Sequence, residues 1–393
     1  PPVVYPYDQR PEKRADEVGE YIIPGGYSKD DPRHKRVSQG IHEQFVRLLT
    51  SMKRELDGRD DGSMPGACAL PASWISGFYG SGKSSFAKLL GMSLADVELP
   101  DGRALHDALV ARDTSPKADD LRAAWSDVRS RLTLPVPVVF DIGAVARDNE
   151  HIHSAVVRRV QVALGYCSTQ ALVAEFELKL ERDGRWDAFL AAAQAELGRP
   201  WADVKDDQMA EEDFSQVMHA LFPDRYRDPQ SWFESRAGTS TLKLSPDEAV
   251  QNVAEMLRLR APGRDLVIVV DEVSQYIHQD SERMLRLQSF VSALGARTRG
   301  SAWLFCTGQE RLDAQNTPTV LGKLKDRFPE RFRVHLAATN IRDVVHRRLL
   351  QKNAAGAAQL RQLFARHRSD LKLFAFGCEG VTEEDFVEVY PML

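Results

Sequence analysis

Gly77-Phe78-Tyr79-Gly80-Ser81-Gly82-Lys83-Ser84 fits the pattern G-x-x-x-x-G-K-[ST], whose residue types suit one task, the cradling of phosphate oxygens. Its glycines let the backbone turn so that successive N–H groups face an anion, and the helix that follows offers its positive end to the same charge. Lys83 would reach the β and γ phosphates of a nucleotide as a mobile point charge, and Ser84 would place its hydroxyl on a bridging Mg2+. Gly77, Tyr79, Gly80, Ser81, Gly82, Lys83, Ser84 and Ser85 together are the expected nucleotide-binding stretch. A glycine turn beside a surface lysine would share the pattern if it stood alone.

A second constellation, Leu266-Val267-Ile268-Val269-Val270-Asp271-Glu272, gives the first its context. Consecutive apolar β-formers suit a strand covered on both faces of a parallel sheet, and the two carboxylates fall at its C-terminal edge, where α/β sheets bind ligands. Asp271 would hold Mg2+ with Ser84, and Glu272 would orient and polarise the water that attacks the γ-phosphate. By itself an acidic pair after a strand can equally be a solvated turn.

Further along, Ser301 to Thr307 reads as another buried strand with a polar tip. Thr307, or Gln309 beyond it, could hydrogen-bond the attacking water or the γ-phosphate. In Lys323-Leu-Lys-Asp-Arg-Phe-Pro-Glu-Arg331-Phe-Arg333, Arg327 and Arg331 stand where an arginine can be offered to a neighbouring subunit's γ-phosphate. A basic, solvated helix end is the alternative.

The elements that must position these residues are legible in outline. Ala72 to Ser76, Val136 to Asp141, Leu266 to Val270, Ser301 to Thr307 and the alternation Phe332, Val334, Leu336 predict strands. Phe86, Leu89, Leu90 and Leu94 predict a helix directly after the glycine loop. Residues 1–66 are expected to hold an extended arm around Tyr21-Ile22-Ile23, a helix from about Ser38 to Leu56, and a loop over Asp57 to Ser63. Residues 67–149 form the first part of the core.

Residues 150–244 read as a helical insertion, with helical patterns over Ile152 to Leu164, Gln170 to Leu180, Trp186 to Leu197 and Met209 to Leu221. Trp186, Trp201 and Trp232 are expected to anchor its core. Ser245-Pro246-Asp247-Glu248 is a capping box with proline at the first helical position, and it opens the second part of the core, 245–338. After Glu272 a helix bearing Met284, Leu287, Val291 and Leu294 is predicted to stop at Gly295. Residues 339–393 read as the start of a lid, capped by Asn340 to Asp343 and carrying Arg342, Arg347, Arg348 and Lys352.

Composition sets the outer bounds. A chain of 393 residues exceeds one compact core. With 43% hydrophobic and 28% charged residues, its composition is that of an ordinary soluble protein. A net charge of −5 argues against a uniformly basic coat for nucleic acid. Cys68, Cys167, Cys306 and Cys378 lack metal-ligand or redox-pair spacing, and no apolar run approaches the roughly 20 residues that cross a bilayer. The expectation is a cytoplasmic protein without a membrane, with both ends looking cut from a longer chain.

Strands with a glycine loop after the first, an acidic pair after the third, a polar tip on the fourth and arginines before the fifth resemble the AAA+ ATPase core. That resemblance implies an α/β fold, a parallel sheet flanked by helices, here with a helical insertion and a partial helical lid. The local wording narrows it. Trp74-Ile-Ser-Gly-Phe-Tyr-Gly-Ser-Gly-Lys-Ser84, Val270-Asp-Glu-Val-Ser-Gln-Tyr-Ile277, Leu285-Arg-Leu-Gln288 and Trp303-Leu-Phe-Cys-Thr-Gly-Gln-Glu310 are similar to the N-terminal ATPase region of the BrxC/PglY family, large P-loop proteins of bacterial BREX and phage-growth-limitation defence. Asp326-Arg-Phe-Pro-Glu-Arg331 and Phe386-Val-Glu-Val-Tyr-Pro391 fit as well. The resemblance covers about 67–95 and 264–391. It implies an oligomeric ATPase working with a DNA methyltransferase and a phosphatase-like protein, and contact with DNA.

The expectation is therefore an ATPase using ATP and Mg2+, with Lys83, Glu272, Thr307, Arg327 and Arg331 as its catalytic set, Ser84 and Asp271 on the metal, and a homo-oligomeric state. A nucleotide-gated scaffold with little hydrolysis and a DNA-translocating motor are the alternatives. No lid arginine is identifiable that would sense the γ-phosphate within the same subunit.

Overall fold

The five apolar runs form one parallel sheet: β1 (Ala72–Gly77), β2 (Val136–Asp141), β3 (Leu266–Asp271), β4 (Ala302–Gly308) and β5 (Arg333–Leu336), in the order β2-β3-β4-β1-β5. The computed structural model of the chain describes residues 11–31, 33–34, 37, 39–147, 149–235, 244–278, 280–309, 311–312, 319–337, 340, 344, 350–367 and 382–391. Every residue of β1, β3 and β4 is buried, as a run without polar alternation requires. β2 and β5, at the edges, alternate buried with half-buried positions.

Alternation along the strands divides the core in two. Ile75, Val267, Val269, Phe305, Val334 and Leu336 face the helices Ile41–Asp60, Lys83–Leu94 and Ala118–Arg129. Trp74, Val138, Phe140, Ile268, Val270, Leu304 and Cys306 face Ile152–Ala163, Pro246–Arg260 and Ser281–Thr298. The chain is thus an α/β protein with helices on both faces of a parallel sheet. Beyond the second face, Phe189, Trp201, Phe214 and Trp232 interlock with centroids 4.7–5.6 Å apart, spacings at which aromatic pairs attract. Trp201 and Trp232 are fully buried, whereas Trp186 is partly buried and stacks on Phe189. This aromatic cluster is continuous with the core beneath the sheet.

The capping box forms in full: Ser245 Oγ accepts from the Glu248 N–H at 3.3 Å and Glu248 Oε2 accepts from the Ser245 N–H at 2.8 Å. Three expectations need correction. The arm contains a helix, Pro11–Glu20, which docks through a buried ion pair between Glu17 and Lys88, Oε2 to Nζ 2.7 Å, beside Val18 in the core. The helix Ile41–Asp60 runs through Asp57-Gly58, and the Gly58 position lies against Met64. Gly295 does not end its helix, which continues to Thr298. A β-carbon there would lie 1.8 Å from the carbonyl oxygen of Ala69, so the glycine serves a close backbone approach. The expected cap at Asn340 to Asp343 and its Arg342, Arg347 and Arg348 fall largely outside the described residues. Lys352 donates to the carbonyls of Glu388 (3.1 Å) and Tyr390 (2.7 Å), closing the end of the helix Glu383–Val389.

Both edges of the sheet are blunted. Beside β5, Arg47 donates to the carbonyl of Arg333 and Gln44 Oε1 accepts from the His335 N–H at 3.4 Å, so side chains of one helix occupy the positions of a sixth strand. At the other edge, β2 carries Pro137, which has no N–H to offer.

Candidate functional site: the glycine loop and the acidic sheet edge

β1 ends at Gly77, the loop 78–82 turns over the sheet edge, and the helix begins at Lys83. Gly80 and Gly82 hold φ of 80° and 83°, the left-handed region in which an L side chain is costly. Gly77 is constrained differently: a β-carbon there would meet Ser81 Oγ at 2.3 Å. Phe78 and Tyr79 are exposed, so at Tyr79 only the backbone belongs to the loop's lining. Ser84 and Ser85 lie half-buried in the first helical turn, whose N–H groups lack intrahelical acceptors.

Lys83 is buried, and its Nζ lies 3.5 Å from Glu272 Oε1. The Gly-Lys loop and the acidic pair, far apart in sequence, thus meet at one sheet edge. Glu272 adopts φ 57°, ψ 30°, an αL conformation costing on the order of 1–2 kcal/mol for a non-glycine residue. Burial pushes its carboxyl above the ordinary value; Lys83 opposes that rise, and Asp271 and Asp141 add to it.

Thr307 sits at the end of β4 and ties the pair together. Its hydroxyl donates to Asp271 Oδ1 and accepts from the Glu272 N–H at 2.9 Å. The hydroxyl is therefore engaged in orienting the two carboxylates. Gln309 uses its backbone N–H on Ser274 Oγ at 3.0 Å. One acid at this edge is absent from the sequence reading: Asp141 ends β2 in register with Asp271. The signal was available, since an aspartate closing an apolar strand is what marked Asp271.

Two buried polar atoms at this edge, Ser81 Oγ and Glu272 Oε2, have no hydrogen-bond partner among the described residues. Buried polar atoms are normally satisfied. With Lys83 beside them and a Ser hydroxyl and aspartate at hand, the donor set fits a phosphate-bound Mg2+ that takes oxygen ligands.

Arg327 and Arg331 lie elsewhere. Both precede β5, on the side of the sheet where its parallel strands begin, whereas the glycine loop lies where they end. Arg331 Nη2 pairs with Glu55 Oε1 at 2.9 Å, and Glu55 Oε2 also accepts from the Cys68 N–H. Arg327 is half-buried, and its Nε has no partner among the described residues. Neither arginine belongs to the glycine loop of its own chain.

No protein-family model matches this chain, and no solved structure matches it. Among the described residues, no helix is long and apolar enough to cross a membrane.

Proposed function

We propose that the chain is an AAA+-type ATPase that binds ATP with Mg2+ at the loop 77–84 and hydrolyses it with Glu272 as base. The observation that carries this reading is the meeting of Lys83 and Glu272 at 3.5 Å, beside Asp271 and Thr307 and directly over the glycine loop. Main-chain N–H groups of the loop and Lys83 would hold the phosphates, while Ser84 and Asp271 would hold the metal. Bound Mg2+ supplies a Lewis acid that draws charge from the phosphate oxygens. Ionised Glu272 accepts a proton from water, and Thr307 keeps both carboxylates aimed.

The position of Arg327 and Arg331 on the far side of the sheet supports a homo-oligomer in which each completes a neighbour's site. Arg331 would have to leave Glu55 to do so. From the motif resemblance we further propose that this activity drives or regulates assembly of a BREX-type defence complex with a methyltransferase and a phosphatase-like protein acting on DNA in the cytoplasm.

The test is nucleotide binding and turnover measured side by side. Glu272→Gln should retain ATP and lose turnover, whereas Lys83→Ala should lose binding. Equal turnover by Glu272→Gln and the parent would end the assignment. A second reading, a nucleotide-gated scaffold, is favoured by one observation: Lys83 and Arg331 are both held by carboxylates of their own chain. Steady turnover by the isolated chain would exclude it.

A further inference from the structure

On the face of the sheet away from the helix Lys83–Leu94, a cavity of about 310 Å3 opens at the β5 edge. Its wall includes Arg47, Arg311, Arg333, His335, Ser76 and Glu330. Among the described residues its wall carries three arginines and one carboxylate. The alternation of β1 places Ser76 with Trp74 on this face, opposite Ile75 and the phosphate-loop helix. The cavity wall thus reaches Ser76, next to Gly77 at the start of the glycine loop, while the helix that follows that loop packs on the opposite face of the sheet.

Arg47 and Arg333 are held in place mainly by backbone carbonyls. Arg333 directs Nε to the carbonyl of Phe328 (2.8 Å) and Nη2 to that of Lys325 (2.7 Å). Arg47 donates to the carbonyls of Glu330 (3.3 Å) and Arg333 and to Gln44 Oε1 (2.9 Å). Neither forms an ion pair with a carboxylate among the described residues. Carbonyl and amide oxygens orient a guanidinium but leave its charge standing, and a part-buried charge without a counter-ion is costly. Burial accordingly holds the Arg47 guanidinium below its ordinary value, with Glu330 opposing. Ser76 Oγ, 3.1 Å from His335 Nδ1, adds a polar floor.

We propose that this cavity is a second anion site, which takes the anionic phosphate group of a phosphate ester. The group is compact enough for a space at the lower end of the about 300–1,000 Å3 typical of ligand pockets. Its several oxygens match convergent guanidinium forks better than a single carboxylate would. The ester is either a free small molecule or the backbone of a nucleic acid. Arg311 lies three residues beyond the end of β4, the strand whose Thr307 orients Asp271 and Glu272.

The probes are inorganic phosphate and glycerol 3-phosphate, titrated calorimetrically into the chain carrying Lys83→Ala, which disables the glycine loop. Parent chain with that loop saturated by a non-hydrolysable ATP analogue gives the same reading should Lys83→Ala not fold. One bound equivalent is expected, with affinity lowered about tenfold or more by Arg333→Gln and by the exposed Arg311→Gln, a loss of about 1.4 kcal/mol. Nucleotide affinity of those two variants should stay unchanged, so failure here and failure of the ATPase reading are separable. No phosphate bound at about 10 mM, tenfold above a 1 mM dissociation constant, or affinity indifferent to both arginine variants, would overturn the proposal. Binding of a labelled single-stranded oligonucleotide that falls with Arg311→Gln assigns the phosphate to nucleic acid. Monoester binding alone that falls with it assigns a free ester.

Discussion

Glu272 faces Lys83 at 3.5 Å while its own backbone stands in the left-handed region. The strained turn swings the carboxylate away from the strand and toward the base of the phosphate loop. Replacing the carboxylate by an amide keeps the shape and removes the proton acceptor. Glu272→Gln should therefore lower the turnover rate by about 10²–10⁴-fold, the usual contribution of a general base, with ATP affinity retained. Steady-state phosphate release and equilibrium nucleotide binding check both halves.

The same carboxylate sets a pH dependence. Burial raises its pKa above the ordinary 4.5, with Asp271 and Asp141 adding to the rise and Lys83 opposing it. A base must be ionised to act, so kcat/KM should fall on acidification through a value higher than that of a free glutamate. Asp141→Asn removes one negative neighbour and should move this acid limb downward in pH. A pH–rate profile of the two proteins measures the displacement, and an unmoved limb would discount Asp141.

Glu17 and Lys88 form a pair that is nearly sealed from water, with side chains 3% and 2% exposed. Removing one partner of a buried ion pair costs about 3–5 kcal/mol. Glu17→Ala should show that loss in thermal unfolding. The double replacement Glu17→Leu with Lys88→Met should recover much of it, since an apolar pair needs no solvation.

Glu177, fully buried, accepts from Trp201 Nε1 and from the Cys167 N–H, both at 2.7 Å. Burial nevertheless dominates and lifts its pKa above 4.5. The folded state then binds the proton more tightly than the unfolded state does. Its stability contribution is complete below the unfolded value and is lost as pH rises through the folded one. Glu177→Gln should flatten that part of the stability–pH curve, read from urea midpoints between mildly acid and neutral pH.

Much of the fold was legible because apolar runs have few physical outlets. Leu266 to Val270 had to be covered on both faces, and the glycine loop needed a helix behind it. What escaped the sequence depends on long-range proximity. Pro11–Glu20 has no regular apolar stripe, and its anchor is an ion pair whose second member is remote in the chain. Gly295 looked like a helix stop because a glycine's close approach to Ala69 is invisible until the backbones meet. Asp141 was readable as the close of an apolar strand, but its place beside Asp271 comes from the β2–β3 register. Thr307 was legible as a polar strand tip, but its engagement with Asp271 and the Glu272 N–H was not.

Gln44 and Arg47, standing along β5, and Pro137, on β2, also limit how copies of this chain can associate. A second molecule cannot extend the sheet at β5 without unseating both helix side chains, and at β2 it meets a position with no donor. Growth of the ladder from copy to copy, the route to open-ended fibres, is closed at both margins. A closed assembly would have to be held by side-chain surfaces, leaving each sheet at its own five strands.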